Sequence, residues 1–353
     1  MRVPGQNLRS DREFPPARRP FLFSTGFYRP QSQEWSLLLR LSEIGVRRLL
    51  LAVGCVGCLG LAHGPIGQAV FSRASLDARL PIVREQHYAV NARIRPLLFF
   101  WIGRDDIGSA RITWREGTAG HRALELVVGS DPARAPRHIN RWGFIVEEQR
   151  AGTTEVLGLM KESGEATLEE AAANVDRSGG DTTTFKAVRT TVNGGRGATG
   201  TLSFQGAPNT TYNELDALLE HIPSTFGEYQ SVELPAGAEV GFLAAMTSLV
   251  RNSAEPCRRH ARDAGARVRP IQYLYHQTIF DLSLTSCEFE PTLRTKRGTF
   301  SEIVDGRFQV RNRQTGEITK FQVAFGTSGR LLDLPVRAVF RPRWWLEVEL
   351  LLG

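Results

Sequence analysis

The last eighty residues alternate between strand patterns and short turn signals, and this rhythm constrains the fold more than any other feature of the chain. Residues 271–288 read as one long bent strand or two. Asp305-Gly306 separates 299–304 from 307–312, and Thr315-Gly316 precedes 317–325, so two turns are expected to join three strands. Glycine at such positions reaches the positive φ that tight reversals of twisted strands require. Residues 326–329 start a final pair, with 334–340 running to Pro342 and 345–352 closing the chain. In that closing strand Leu346, Val348 and Leu350 alternate with Glu347 and Glu349, which predicts one dry face and one wet face. Successive neighbours imply a meander.

Upstream the pattern repeats with interruptions. Residues 82–92 predict a first strand and 97–102 a second. Ala110, Ile112 and Trp114 alternate with Arg111, Thr113 and Arg115, the chain reverses at 117–120, and Leu124, Leu126 and Val128 alternate in turn, which is a hairpin. A turn-rich link at 130–141 leads to an extended stretch at 142–148. Thr167 and Glu170 have the spacing of a capping box and predict a helix to about Val175. A hairpin over 183–204 turns at Asn193-Gly194-Gly195. Thr211 and Glu214 form a second capping box before Leu215, Leu218, Leu219 and Ile222, and Pro235 is expected to open a third helix carrying Phe242, Ala245, Met246, Leu249 and Val250. The expected class is mainly β with helical insertions (α+β) around 163–265, built as a strongly curved antiparallel sheet or a partly open β-barrel.

Location is read from a different part of the chain. Fourteen apolar residues at 49–62 follow Arg47-Arg48, too few for a permanent helical span, which needs roughly 20 residues. With a small-residue exit at Gly67-Gln68-Ala69, residues 46–69 match a secretory signal segment cleaved after Ala69. Residues 1–45 then form a poorly structured extension whose Met1 could be a mistaken start, and 70–353 form the folded domain. A retained membrane helix behind a cytoplasmic tail is the alternative. A lipid anchor at Cys55 or Cys58 is a further one, but neither thiol has the large aliphatic residue three positions before it that acylation prefers. The expected location is exported, in the periplasm or cell envelope.

Charge follows the same boundary. The chain carries +7, yet residues 1–69 hold nine Arg and no Lys against four acidic residues, so +5 lies there and 70–353 carry only +2. Nucleic acid is therefore not an expected partner, because such binding needs a concentrated basic footprint. The one cluster, Arg258, Arg259, Arg262, Arg267 and Arg269, reads equally well as a solvated face. Cys257 and Cys287 are the only cysteines after residue 69, an even pair for which a disulfide in an oxidising compartment and two buried free thiols are the alternatives.

Chemistry is sparse. His87, His121, His138, His221, His260 and His276 make no H-x-x-x-H pair, and Cys257 with His260 alone cannot fill a tetrahedral metal site, so no metal or other cofactor is expected. Asp105-Asp106 before Gly108 reads as turn material, since adjacent carboxylates on a strand point oppositely. No nucleophile elbow or phosphate loop is present, and no catalytic residue is assigned.

The segments FFWIGRDDIGSARITW, from Phe99 to Trp114, and LPVRAVFRPRWWLEVELLL, from Leu334 to Leu352, resemble uncharacterised exported β-rich proteins whose curved sheet is similar to that of lipoprotein carriers. The resemblance implies an early glycine-containing turn followed by a strand, and a closing strand, turn and strand. Beside it stands an apolar-binding reading drawn from the residues. Phe99, Trp101, Trp142, Phe144, Trp344 and Trp345 could line the inside of a curved sheet and take up a lipid or other apolar ligand. The expected role is thus noncatalytic binding of an apolar ligand, a membrane surface or an envelope protein. A structural or interaction protein with a solid core is the alternative, and a hydrolase with an unrecognised site is another. Of Trp344 and Trp345, one is expected to enter the core and one to face outward.

Overall fold

The computed structural model describes Leu76, 79–94, 101–161, 182–222, Phe226, 228–260, 264–343 and 346–353. The signal segment 46–69, the extension before it, Cys55, Cys58, the helix expected at 163–175, and Phe99, Trp344 and Trp345 lie outside the described residues.

Fifteen strands make one sheet. In chain order they are β1 (Ile82–Ile94), β2 (Ile102–Glu116), β3 (Arg122–Ser130), β4 (Trp142–Arg150), β5 (Thr153–Lys161), β6 (Thr183–Asn193), β7 (Arg196–Gly206), β8 (Gln230–Glu233), β9 (Glu239–Val240), β10 (Ile271–Tyr275), β11 (Thr278–Arg294), β12 (Thr299–Asn312), β13 (Ile318–Gly326), β14 (Pro335–Arg343) and β15 (Leu346–Leu352). Three helices are described, α1 (Leu215–His221), α2 (Phe242–His260) and α3 (Ala264–Arg267). The spatial order is β8-β7-β6-β5-β4-β3-β2-β1-β15-β14-β13-β12-β11-β10-β9, so two runs of consecutive neighbours are joined where the first strand pairs with the last. That seam is antiparallel, from Tyr88 opposite Leu352 to Ile94 opposite Leu346.

This order corrects the expectation of a strongly curved sheet or partly open β-barrel. The sheet is open, because β8 and β9 stand at its two ends and no ladder joins them among the described residues. The reason lies in the edge strands themselves. β8 has four residues and β9 two, and β9 pairs with β10 in parallel before the chain turns into α2. So short a strand cannot supply a closing ladder, and short edges also limit pairing with other chains. Side chains from β5, β6, β9 and β10 meet in a small cluster of Val156, Val192, Val240 and Leu274, and Thr199 of β7 donates to His276 O at 2.8 Å beside it.

Two features read as turns lie within strands. Asp305-Gly306 is in the middle of β12, where Gly306 pairs with Cys287 on one side and Val323 on the other. A Cβ there would lie 2.7 Å from the Phe308 ring, so glycine is needed for close packing and not for a reversal. Asp105-Asp106 forms an irregularity inside β2: Asp106 has φ 55 and its N–H donates to Asn91 Oδ1 at 2.9 Å. By contrast, Thr315-Gly316 does turn the chain, with Gly316 at φ 74 and its N–H on Asn312 O. The 271–288 stretch is two strands, reversed at His276. Pro235 does not open a helix; β9 intervenes and α2 begins at Phe242.

Apolar side chains fill the space between sheet and helices. On one face of β3–β6, Val127, Trp142, Phe144, Leu157, Leu159, Phe185 and Ala187 pack with Leu215, Leu219 and Ile222 of α1 and with Leu76 and Leu80. The Thr211 and Glu214 capping box forms, with the Thr211 N–H donating to Glu214 Oε2 at 2.6 Å. α2 packs Ala245, Leu249, Val250 and Cys257 against Tyr273, Phe280, Leu282, Phe308 and Phe325. A third cluster joins Tyr88, Val90 and Ala110 to Leu293, Ile303 and Val336. The Cys257–Cys287 disulfide ties α2 to β11 inside the second cluster.

Candidate functional site

The aromatic residues proposed to line a ligand chamber divide. Trp142 and Phe144, two apart on β4, point to the same face and are 3% and 4% exposed. Trp142 packs against Phe185 with the rings tilted and their centroids 5.6 Å apart, and its indole N–H donates to Thr210 O at 3.2 Å. They are packed core. Trp101 stands apart from that cluster, 39% exposed just before β2, with the Arg341 guanidinium of β14 6.0 Å over its ring.

The neighbours of Trp101 define a distinct end of the sheet. Ile94 pairs with Ile102 across β1 and β2 and with Leu346 across β1 and β15, while Arg343 pairs with Leu346 across β14 and β15. Four adjacent strands therefore end side by side. Ile94 and Ile102 are 42% and 48% exposed, so with Trp101 they present three apolar side chains to the surroundings. Soluble surfaces carry single exposed apolar residues freely, but a grouped set at one edge points to contact with something apolar.

Arginines line β1 and β14 behind this end. Arg93 lies 3.5 Å from both Glu347 and Glu349, Arg337 Nε donates to Glu349 at 2.8 Å, and Arg341 Nε donates to Glu347 at 2.7 Å. The two glutamates, read from alternation as a wet face, are 5% and 4% exposed. Long arginine side chains from β1 and β14 cover and neutralise them, which the pattern of β15 alone cannot show. Across the irregularity in β2, Asp105 is held by Lys296 at 2.7 Å and Asp106 by Arg297.

A second charged feature is internal. Glu147 of β4 lies on the face opposite Val146 and accepts hydrogen bonds from the N–H groups of Leu243 and Ala244, both at 2.7 Å, at the first turn of α2. Its pKa is raised to about 8, chiefly by burial, against the opposing effect of those two N–H donors and with Glu239 adding repulsion. Tyr273 and Tyr275 face the same carboxylate. Gly241, at φ 96, brings its backbone so close that a Cβ would lie 2.2 Å from the Glu147 carboxyl carbon. The Glu147 carboxyl caps α2.

One groove of about 760 Å³ runs beside the β9 edge, lined by Glu239, Ser248, Asn252, Gln272, Asp281 and Arg311 among others. Its polar lining does not suit an apolar ligand. Gln272 and Asp281 hydrogen-bond each other at 3.2 Å and Ser248 donates to Glu239 at 2.9 Å, so much of its polarity is internally matched. Among the described residues no group of three His, Cys, Asp or Glu could hold a metal ion, and no helix is long and apolar enough to cross a membrane.

No family model matches the chain, and no curated protein matches it. Among solved structures it is similar to a β-barrel-like protein of a domain of unknown function from Brucella abortus, at 8% identity over 78% of this chain and 96% of that one, with a TM-score of 0.34. It is also similar to a candidate lipoprotein from Parabacteroides distasonis, at 10% identity over 76% of this chain and 94% of that one, with a TM-score of 0.23. Both are weak, low-identity likenesses between β-rich chains, and no residue role is carried over from them.

Proposed function

We propose that this chain is a noncatalytic binding protein of the cell envelope that works through the exposed apolar end of β1 and β2, and not by enclosing a ligand. One contrast carries the reading: Trp101 and its neighbours Ile94 and Ile102 are exposed together, whereas Trp142 and Phe144 are sealed against α1. Export is supported by the buried Cys257–Cys287 disulfide, since such bonds persist in oxidising compartments, and by the composition of 46–69.

Native mass spectrometry of protein purified without detergent tests this reading. The expected mass is that of the chain alone for an Ile102→Ser variant. A stoichiometric apolar molecule retained by that variant would place the ligand inside the fold and sink the surface reading.

A further inference from the structure

Building on the surface-binding reading, we propose that the end of the sheet formed by β2, β1, β15 and β14 docks on an anionic bilayer, with its apolar residues in the headgroup region and its arginines on lipid phosphate. Three observations favour a bilayer over a protein. The first is composition: a tryptophan and two isoleucines project from one end, and tryptophan suits the boundary where one side of the ring is apolar and the other wet.

The second is charge. Lys296 and Arg297 match Asp105 and Asp106, and Arg93 and Arg341 lie on Glu347; Arg337, which serves Glu349, is level with Leu351 and away from the apolar end. Arg104, next to the apolar end on β2, is exposed and has no ion pair among the described residues. The balance at this end is positive, which complements a negative lipid surface. Guanidinium groups are weakly hydrated and bond phosphate oxygens in pairs, so they tolerate the interface well.

The third is the backbone. Ile94 lies between Ile102 and Leu346 in two ladders, so its strand is hydrogen-bonded on both sides up to the level at which the apolar side chains emerge. Peptide groups already paired lose little on leaving water, which is the condition for placing backbone near a hydrocarbon boundary. The links that follow these strand ends, 95–100 and 344–345, lie outside the described residues, and the proposal rests on the strand ends alone.

Hydrogen–deuterium exchange of the full chain, read by mass spectrometry, tests the proposal at the site itself. The probes are vesicles of phosphatidylglycerol mixed with phosphatidylcholine, and vesicles of phosphatidylcholine only. Exchange in peptides that end at Ile94 or begin at Trp101 is expected to slow by about fivefold on the anionic vesicles, to slow less on the neutral ones, and to recover in high salt. An Ile102→Ser/Arg104→Ala variant is expected to lose that protection while β12 and β13 exchange as before, which separates lost docking from lost folding. Unchanged exchange at both strand ends on anionic vesicles overturns the proposal, whether or not another part of the chain binds them. Protection that instead grows with protein concentration, without vesicles, and disappears in the variant would also overturn it. That result would make the occupant a second copy and leave the surface-binding reading standing.

Discussion

Glu147 on β4 accepts the backbone N–H of Leu243 at 2.7 Å, fastening the first turn of α2 to a strand ten places from β9 in the sheet order. The same carboxylate holds Ala244 with its other oxygen. A helix begins with N–H groups that its own backbone cannot satisfy, and here a strand supplies the acceptor. Glu147→Ala should destabilise the fold by about 3 kcal/mol, because it orphans buried donors as well as removing contacts. Chemical denaturation of the two proteins side by side measures this.

The same residue predicts a pH dependence. Burial raises its pKa from 4.5 to about 8, so over that interval the folded protein holds a proton that the unfolded chain has released. Its contribution to stability is therefore fully present below about pH 4.5 and is lost as pH rises through about 8. Thermal melts across this range should show the wild type losing stability with rising pH more steeply than Glu147→Gln. Parallel slopes would show that the proton is not taken up at this carboxyl.

Glu349 provides a test of the arginine-covered face. Glu349→Leu leaves Arg337 without its carboxylate and Arg93 with Glu347 alone, and because both guanidinium groups reach solvent a cost of about 2 kcal/mol is expected from the lost charged hydrogen bond. Adding Arg337→Leu should restore part of that loss, so the double variant is expected to be more stable than Glu349→Leu alone. Additive losses in denaturant titrations would argue that the two side chains are uncoupled.

Gly306→Val separates a packing glycine from a turn glycine. The new side chain would meet the Phe308 ring and Leu284, and a loss of about 2 kcal/mol is expected from overpacking. A loss near zero would mean that the Phe308 ring is free to move aside.

The disulfide links positions 30 residues apart and should contribute roughly 3 to 4 kcal/mol by restricting the unfolded chain. Cys257→Ala/Cys287→Ala is expected to unfold at correspondingly lower denaturant, and non-reducing peptide mapping should recover the linked pair from the wild type.

The existence of strands was legible from alternation, but not always which face is dry: on β2 Thr113 and Arg115 are buried while Ile112 and Trp114 are half-buried, because Arg115 folds under Leu80 and donates to its carbonyl, a partner far away in sequence. Closure was not legible, since an open or closed sheet is decided by pairings far apart in sequence, such as Tyr88 with Leu352 and the absence of a ladder between β8 and β9 among the described residues. Asp305-Gly306 misled for a local reason. Turn formation and tolerance of a close ring both call for glycine, and only the position of Phe308 tells them apart. Alternation also placed Glu347 and Glu349 outward, because the arginines that cover them belong to other strands. The aromatic set was read as one site from residue type; Trp142 and Trp101 belong to opposite environments that only the fold assigns. Glu147 escaped notice, although adjacent carboxylates at Glu147 and Glu148 in an extended stretch already required one acid on each face.

Trp101 faces the surroundings while Trp142 is sealed in the core, and iodide quenching of tryptophan emission distinguishes the two. The part of the emission removed by Trp101→Phe is expected to be red-shifted and quenched by iodide. The part removed by Trp142→Phe is expected to be blue-shifted and shielded. A shielded Trp101 with an accessible Trp142 would contradict the account and return the aromatic residues to the lining of an internal chamber.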